Sequence, residues 1–189
     1  MQGATTRIEI RSMGAADEDA AMQAEAELGA EGHTFLPLGR VDREPWQAYL
    51  ERVERARGQK SPHPEGRVPW SNLYLAEDGV LAAGLSLRHE LTPWLREVAG
   101  HVGYVVRPAW RRRGHAGLLL AAGLQLAAER GMPQVLLTCD DGNIASARVI
   151  ESAGGVLEDV RPVPGLPHLP PKRRYWIETG QTRAVDLRP

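Results

Sequence analysis

Four arginines stand together where a predicted strand gives way to a predicted helix: Arg107, Arg111, Arg112 and Arg113, followed by Gly114. The first backbone N–H groups of a helix lack partners inside the helix and lie at the positive end of its dipole, so helix openings usually attract Asp or Glu. No acidic residue occurs here, and the arginines would repel one another unless an anion lay among them. The pattern therefore indicates an anion-binding loop, and a diphosphate is the natural candidate.

Small residues at the start of the predicted helix favour the same hypothesis. Gly114, Ala116 and Gly117 leave room where the oxygens of a ligand would touch the backbone, with His115 between them. The alternative is that the arginine run is a solvated turn, which is the commoner role of an isolated basic loop.

The elements that would position this loop follow from hydrophobic spacing. Strands are predicted at 6–10, 70–76, 80–89, 101–106, 134–139, 156–161 and 174–178, and helices at 17–28, 44–57, 114–130 and 143–153. Residues 58–66, 91–99 and the proline-rich segment 162–171 are predicted to be loops and connectors. Hairpins, together with one strand-helix-strand crossover over 101–139, indicate an α/β or α+β mixed sheet, not a doubly wound parallel one.

Length, net charge and composition limit the classes of protein to which the chain can belong. The chain has 189 residues, which suits one domain over 1–189 and is short for two ordinary enzyme domains. Its formal net charge of -1 builds in no overall attraction to nucleic acid or to an anionic membrane. With 42% hydrophobic and 25% charged residues, it has the composition of a folded globular protein.

Cysteine and histidine usage excludes further classes of site. Cys139 is the only cysteine, which rules out a disulfide within the chain and a Cys-rich zinc site, and fits a reducing cytoplasm. We interpret it as a small buried hydrophobe. The six histidines show no metal-ligand spacing, so we expect no catalytic metal. No apolar run reaches the length of a membrane span.

The basic loop and the segments after it resemble the GNAT superfamily of acyl-coenzyme A N-acyltransferases. Arg111-x-x-Gly114-x-Ala116, after a strand that ends Val106-x-Pro108, matches the signature (Gln/Arg)-x-x-Gly-x-(Gly/Ala). The strand at 135–140 and Asn143-x-x-Ser146 look like the family's next strand and helix. The resemblance covers residues 70–178 and is greatest to an uncharacterised group of predicted bacterial acetyltransferases; residues 1–69 match only in the general order of elements.

The resemblance implies a fold and a cofactor site. The fold would be a mixed, mostly antiparallel central sheet with helices on both faces and a parallel strand pair, 101–106 and 134–139, that splays apart. Acetyl-CoA would be the cosubstrate, with pantetheine in the split and the diphosphate on the basic loop. The implied coenzyme-binding residues are Tyr104, Val105, Val106, Arg111, Arg112, Arg113, Gly114, His115, Ala116, Gly117, Asn143 and Ser146.

Candidate catalytic residues follow from the need to deprotonate an amine before it attacks a thioester. His101, on the strand that would line the cleft, is the first candidate for the base, with a structural histidine as the alternative. Glu97, in the connector before that strand, is the second. A backbone N–H near Val105 would hold the oxyanion.

The chain lacks the Tyr that many family members use as general acid. Many members place a Tyr in the helix after the Asn, but the nearby positions here hold Val149 and Ile150. Water or Tyr104 would then protonate the departing thiolate.

The predicted function is N-acetyl transfer from acetyl-CoA to a primary amine of a small molecule or protein, by direct attack in a ternary complex. A module that binds acyl-CoA without turnover is the alternative, and a loop that contacts nucleic acid phosphates is the weakest interpretation, because the chain is near neutral. No pattern encodes the acceptor, whose pocket would be built from residues 15–69 and the proline-rich loop. Whether those surfaces form a homodimer contact stays open.

Overall fold

The computed structural model describes residues 6–59 and 68–181. Within them lie the strands β1 (Ile8–Arg11), β2 (Trp70–Glu77), β3 (Val80–Arg88), β4 (Val102–Val106), β5 (Gln134–Asp140), β6 (Val156–Arg161) and β7 (Lys172–Glu178). The helices are α1 (Glu18–Gly29), α2 (Trp46–Ala56), α3 (Pro93–Val98), α4 (His115–Glu129) and α5 (Ile144–Ser152). Most of the predicted loop 58–66 lies outside the described residues, and the predicted loop at 162–171 is confirmed.

The strands form one seven-stranded sheet in the order β1-β2-β3-β4-β5-β7-β6. Every neighbouring pair is antiparallel except β4 and β5, which are parallel. The β2-β3 hairpin turns at Asp78 and Gly79, with φ of 50° and 84°, the left-handed pair that matches the twist of a two-residue hairpin.

Helices cover both faces of the sheet. Strand β2 shows why, because its side chains alternate: Leu73 and Leu75 pack into the core under α4 and α5, whereas Tyr74 and Ala76 pack into a second core under α1 and α2. The predicted mixed sheet with helices on both faces is confirmed. Among the described residues, no helix has the length and apolarity needed to cross a membrane.

Helix α3 is the element that hydrophobic spacing missed, since 91–99 was predicted to be a connector. Thr92 caps it by accepting a hydrogen bond from the backbone N–H of Leu95 at 3.1 Å, and Pro93 occupies the first turn. A helix of six residues is too short to show a periodic apolar stripe, so only its cap could have revealed it.

The parallel strands β4 and β5 meet at one end only. Their single register pair is Val102 with Leu137. Just before it, the N–H of His101 donates to the carbonyl of Leu136 at 2.7 Å, and the N–H of Leu136 donates to His101 Nδ1 at 2.8 Å. Beyond Val102, β4 stays paired with β3 and β5 with β7, so the two strands part.

Gly100 lets β4 and β5 approach closely just before they part; we call this the closed end of the split between the two strands. Its φ is 61°, and a Cβ there would lie 2.4 Å from the carbonyl oxygen of Leu136. No side chain fits at that distance, so only glycine brings the two strands together here.

His101 is buried beside this junction and its hydrogen bonding is structural. Burial, together with the charges of Arg96 and Arg88, lowers the pKa of His101 to about 4. The imidazole therefore stays neutral at physiological pH, with Nδ1 as the acceptor and the proton on Nε2.

We predict that Gly100→Ala destabilises the fold by at least about 2 kcal/mol, because the new Cβ meets backbone at a left-handed position. Chemical denaturation measures the change. Gly58→Ala is the control, since a Cβ there meets nothing within 4 Å and the glycine has no positive φ. Equal stabilities of the two variants would contradict the close approach.

The low pKa of His101 predicts a pH dependence of stability. As pH falls, the unfolded chain binds the proton near pH 6.5 while the folded chain resists it until about pH 4, so stability present above pH 6.5 is lost across that window, by up to about 3 kcal/mol. His101→Asn keeps an acceptor for Leu136 and cannot titrate. The wild type minus His101→Asn difference in unfolding free energy should fall as pH is lowered from 6.5 to 4; a flat difference would show that His101 titrates normally.

Candidate functional site

A cavity of about 520 Å³ opens where β4 leaves β5, beside the start of α4. The predicted coenzyme residues that line it are Tyr104, Val105, Val106, Arg111, Arg112, Gly114, His115, Ala116, Gly117, Asn143 and Ser146. Arg113 is the one member of the predicted set that does not. The fold also brings Leu28, Glu31 and His33, from α1 and the loop after it, to the same cavity.

The start of α4 offers backbone donors to this cavity. Arg112 and Gly114 both have left-handed backbone, with φ of 61° and 83°, and this turn sets the chain into the helix. No side chain caps the helix and no acidic residue lies in its first turn. At Gly117 a Cβ would meet nothing within 4 Å. Uncapped N–H groups beside open space form a cradle that fits a diphosphate.

Arg107 has a structural role. Its side chain is fully buried, with Nε and Nη2 donating to Glu27 at 2.9 and 2.7 Å and Nη1 donating to the carbonyl of Leu81 at 2.9 Å. The guanidinium also lies over the Trp110 ring, 4.5 Å from its centroid. Arg107 therefore ties α1 to the end of β4 and does not reach the cavity.

Two more arginines of the loop have carboxylate partners. Arg111 bonds Glu31 with both Nη atoms and donates from Nε to the carbonyl of Val106 at 3.0 Å. This pairing lowers the pKa of Glu31. Arg113 lies 2.6 Å from Glu77, which is also 2.7 Å from Nε2 of the buried His115.

The premise that these arginines need an external anion is thus wrong in part. Three glutamates distant in sequence, Glu27, Glu31 and Glu77, lie among them. Within the described ranges, Arg112 is the one arginine of the loop with no hydrogen bond or ion pair. The case for an anion site now depends on the helix start and on Arg112.

Strand β4 and helix α5 are joined across the cleft by hydroxyl groups. Asn143 caps α5 by accepting from the N–H of Ser146 at 3.0 Å, and the Ser146 Oγ lies 2.8 Å from the hydroxyl of Tyr104. Burial raises the pKa of Tyr104 above its ordinary value, so its hydroxyl keeps its proton at neutral pH.

The split continues into a second cavity of about 250 Å³ between β4 and β5. Tyr104, Asn143 and Ser146 line both cavities, and Arg88, Gly103 and Thr138 are among the further residues of the second. The buried Cys139 also lines it, and burial raises the pKa of its thiol. Arg88 was not predicted to be a site residue, because nothing in local spacing shows that the end of β3 faces this gap.

The fold brings neither predicted base to these cavities. His101 lies at the closed end of the split with Nδ1 bonded to Leu136, and Glu97 accepts two hydrogen bonds from Arg161 at 2.7 Å and lies 3.4 Å from Arg174. Neither is among the residues that line either cavity. Groups of three or more metal-ligating side chains are absent from the described part of the chain.

Comparisons with known proteins agree with this geometry. The sequence profile of the acetyltransferase (GNAT) domain matches residues 7–156. No curated protein matches the chain significantly.

Solved structures share the fold at low sequence identity. A putative acetyltransferase, yncA, from Salmonella typhimurium, solved with its cofactor acetyl-CoA, has a TM-score of 0.60 and 17% identity over 95% of this chain and 98% of its own. An acetyltransferase of the GNAT family from Bacillus anthracis has a TM-score of 0.62 and 18% identity over 93% and 96%. The ribosomal-protein-S18-alanine N-acetyltransferase from Escherichia coli has a TM-score of 0.54 and 17% identity over 95% and 97%.

The profile match spans most of the chain, and the solved structures share its fold. The chain therefore belongs to the GNAT family of acetyltransferases and is an acyltransferase.

Proposed function

We propose that this protein is an N-acetyltransferase that moves the acetyl group of acetyl-CoA to a primary amine in a ternary complex. The observation that carries the proposal is the cavity between the parted strands, which adjoins an uncapped helix start. The yncA protein was solved with acetyl-CoA, which supports the same cosubstrate here. A cytoplasmic location belongs to this proposal, since the single, free Cys139 fits a reducing compartment.

The coenzyme would be held by backbone groups more than by arginines. The first N–H groups of α4, with the unpaired Arg112 beside them, would take the diphosphate. The side of β4 that faces β5 has no strand partner beyond Val102, and the backbone groups of successive residues point to opposite sides of a strand. The backbone N–H of Arg107 donates to the carbonyl of Ala82 on β3, so Val105 also points to β3, whereas the backbone of Tyr104 points into the split and is available to pantetheine. Val106 is the next residue on that side; its carbonyl already accepts from Arg111, which leaves its N–H for the coenzyme.

Tyr104 is the residue best placed to assist the leaving group. In the reaction the amine nitrogen bonds to the acetyl carbon and the C–S bond breaks, which releases a thiolate and a proton from the nitrogen. The Tyr104 hydroxyl, protonated at neutral pH and oriented by Ser146, would donate a hydrogen bond to the developing thiolate. A coenzyme thiol with a pKa of ~8.5, like that of cysteine, leaves readily with this help.

Water is the best acceptor for the amine proton. His101 with a pKa of about 4 and Nδ1 already bonded is a poor base at neutral pH. Glu97 is held by Arg161. We therefore propose that the amine loses its proton to water in the cleft, which needs no side-chain base.

A module that binds acyl-CoA without turnover is the second candidate. The observation in its favour is that neither predicted base, His101 nor Glu97, lines the cleft. Release of free thiol in the presence of amines separates the two functions, because only an enzyme releases it above the rate of spontaneous hydrolysis.

Gly117→Glu tests the coenzyme seat. Position 117 is helical and has open space around it, so the variant should fold without strain. Its new carboxylate should repel the diphosphate. Wild type with acetyl-CoA at ~100 Kd should gain ~2.7 kcal/mol of stability, which a thermal shift detects. We expect Gly117→Glu to lose this gain and Gly117→Ala to keep most of it. A full gain in Gly117→Glu would mean that the diphosphate lies elsewhere.

Tyr104→Phe tests the acid. It should bind acetyl-CoA with unchanged affinity and lower kcat by at least about tenfold, because general acid assistance is worth roughly 10²–10⁴ in rate. Thiol release under saturating acetyl-CoA measures kcat. Tyr175→Phe is the matched control, since the Tyr175 hydroxyl bonds Glu151 and lines neither cavity. An unchanged kcat in Tyr104→Phe would assign the acid role to water.

A further inference from the structure

Arg88, the last residue of β3, is a cation without an anion. It lines the second cavity, and its Nη1 reaches the carbonyls of Ala99 and Gly100 only at 3.4 and 3.3 Å. The other guanidinium N–H groups have no acceptor among the described residues. By contrast, the side chains of Arg107 and Arg174 are more fully buried than that of Arg88, and both contact carboxylates.

Burial makes this arrangement costly. Desolvation lowers the pKa of Arg88, and no neighbouring carboxylate offsets it. Arg88 is half-buried, so its guanidinium loses part of its hydration energy, which two long hydrogen bonds do not fully restore. A negative group in the cavity would remove that cost.

The remaining charges of this cavity are already balanced. Lys172 bonds Asp140, and the Thr138 hydroxyl donates to the carbonyl of Val98 at 2.8 Å. Arg88 therefore gives the cavity an unbalanced positive charge. The polar wall and the volume of about 250 Å³ suit a small ionised group.

The register of the sheet shows toward which face of the sheet Arg88 points. Leu87 pairs with Val102 and Leu85 with Tyr104, and these side chains face the core under α4 and α5. Side chains alternate along a strand, so Arg88 faces the opposite side of the sheet. There its Nη1 lies 3.8 Å from the position of a Cβ on Gly103. The Tyr104 hydroxyl lies on the α5 side. Both cavities reach both faces through the split, since the first also touches Leu28 of α1 and the second also touches Ile150 of α5.

We propose that Arg88 binds a carboxylate of the acceptor, so that the substrate is a small amine that carries a carboxylate, such as an amino acid. The inference rests on the proposed acetyl transfer. The acceptor would place its carboxylate on Arg88, on the face of the sheet opposite α5, and its amine toward the split. A planar guanidinium with free N–H groups suits a carboxylate, which it can bind with two hydrogen bonds.

The test compares amines that differ by one carboxylate: L-phenylalanine with phenethylamine, L-lysine with cadaverine, and L-methionine with 3-(methylthio)propylamine. Thiol release from acetyl-CoA gives kcat/KM for each. We expect the carboxylate-bearing member of at least one pair to be preferred by at least about tenfold, because a site built for a charged partner rejects the analogue that lacks it. Acetylation of no amino acid, or equal rates within every pair, would overturn the inference.

Variants connect the preference to Arg88. Arg88→Gln should raise KM for the carboxylate-bearing amine at least about tenfold, leave the carboxylate-free amine little changed, and leave the Kd of acetyl-CoA unchanged; Arg88→Lys should retain part of the preference. Arg96→Gln, which removes an exposed charge from α3 outside the cavity, is the control and should keep it whole. A KM that rises equally for both amines in Arg88→Gln would indicate a structural role alone.

A further experiment tests whether the anion that Arg88 binds belongs to the acceptor or to the acyl group. With phenethylamine as acceptor, succinyl-CoA and acetyl-CoA should give similar kcat/KM if the anion belongs to the acceptor. An Arg88-dependent preference for succinyl-CoA would assign it to the acyl group and overturn the inference. If acetyl-CoA causes no thermal shift in the wild type, the proposed function itself fails, a result distinct from any loss of preference.

Discussion

The parting of β4 from β5 is the constraint on which the rest of the site depends. Each strand keeps its other neighbour, β3 for β4 and β7 for β5, so neither can follow the other once they diverge. His101 and Gly100 hold the closed end, where the backbones come too close for any side chain at position 100. The gap that opens beyond Val102 leaves backbone hydrogen-bonding groups unpaired inside a protein. Such groups are costly unless a ligand or water meets them.

The carboxylates that neutralise the basic loop come from distant parts of the chain, which the fold brings to the loop. Glu27 and Glu31, on α1 and just after it, and Glu77 at the end of β2 neutralise three arginines and fix the loop against the sheet. The first turn of α4 is thereby placed beside the split with its N–H groups free. Arg112 alone remains for a ligand among the loop arginines that the structure describes. The ion pairs position this short segment, and its free backbone N–H groups are the donors that we propose for the coenzyme.

The two cavities meet in the split between β4 and β5, and each reaches both faces of the sheet. The hydroxyl of Tyr104 is turned toward α5, whereas Arg88 and Gly103 face the opposite side of the sheet. The split joins them, as three residues that line both cavities show. Two connected cavities agree with the direct transfer that we propose, in which coenzyme and acceptor are bound at the same time.

Much of this was predictable from sequence, because it depends on local pattern. Hydrophobic spacing predicted all seven strands and four of the five helices of the described chain, since period-2 and period-3.6 patterns report burial on one face. Residues 111–117 indicated the helix start correctly, because glycine spacing and missing acidic residues are local signals. Partners were not predictable: the carboxylates on Arg107 and Arg111 lie 80 positions away, and the Leu136 N–H that occupies His101 lies 35 away. Tertiary packing alone decided that His101 is a structural acceptor and that Arg88 has no counterion, because burial and ion pairing depend on which distant groups meet.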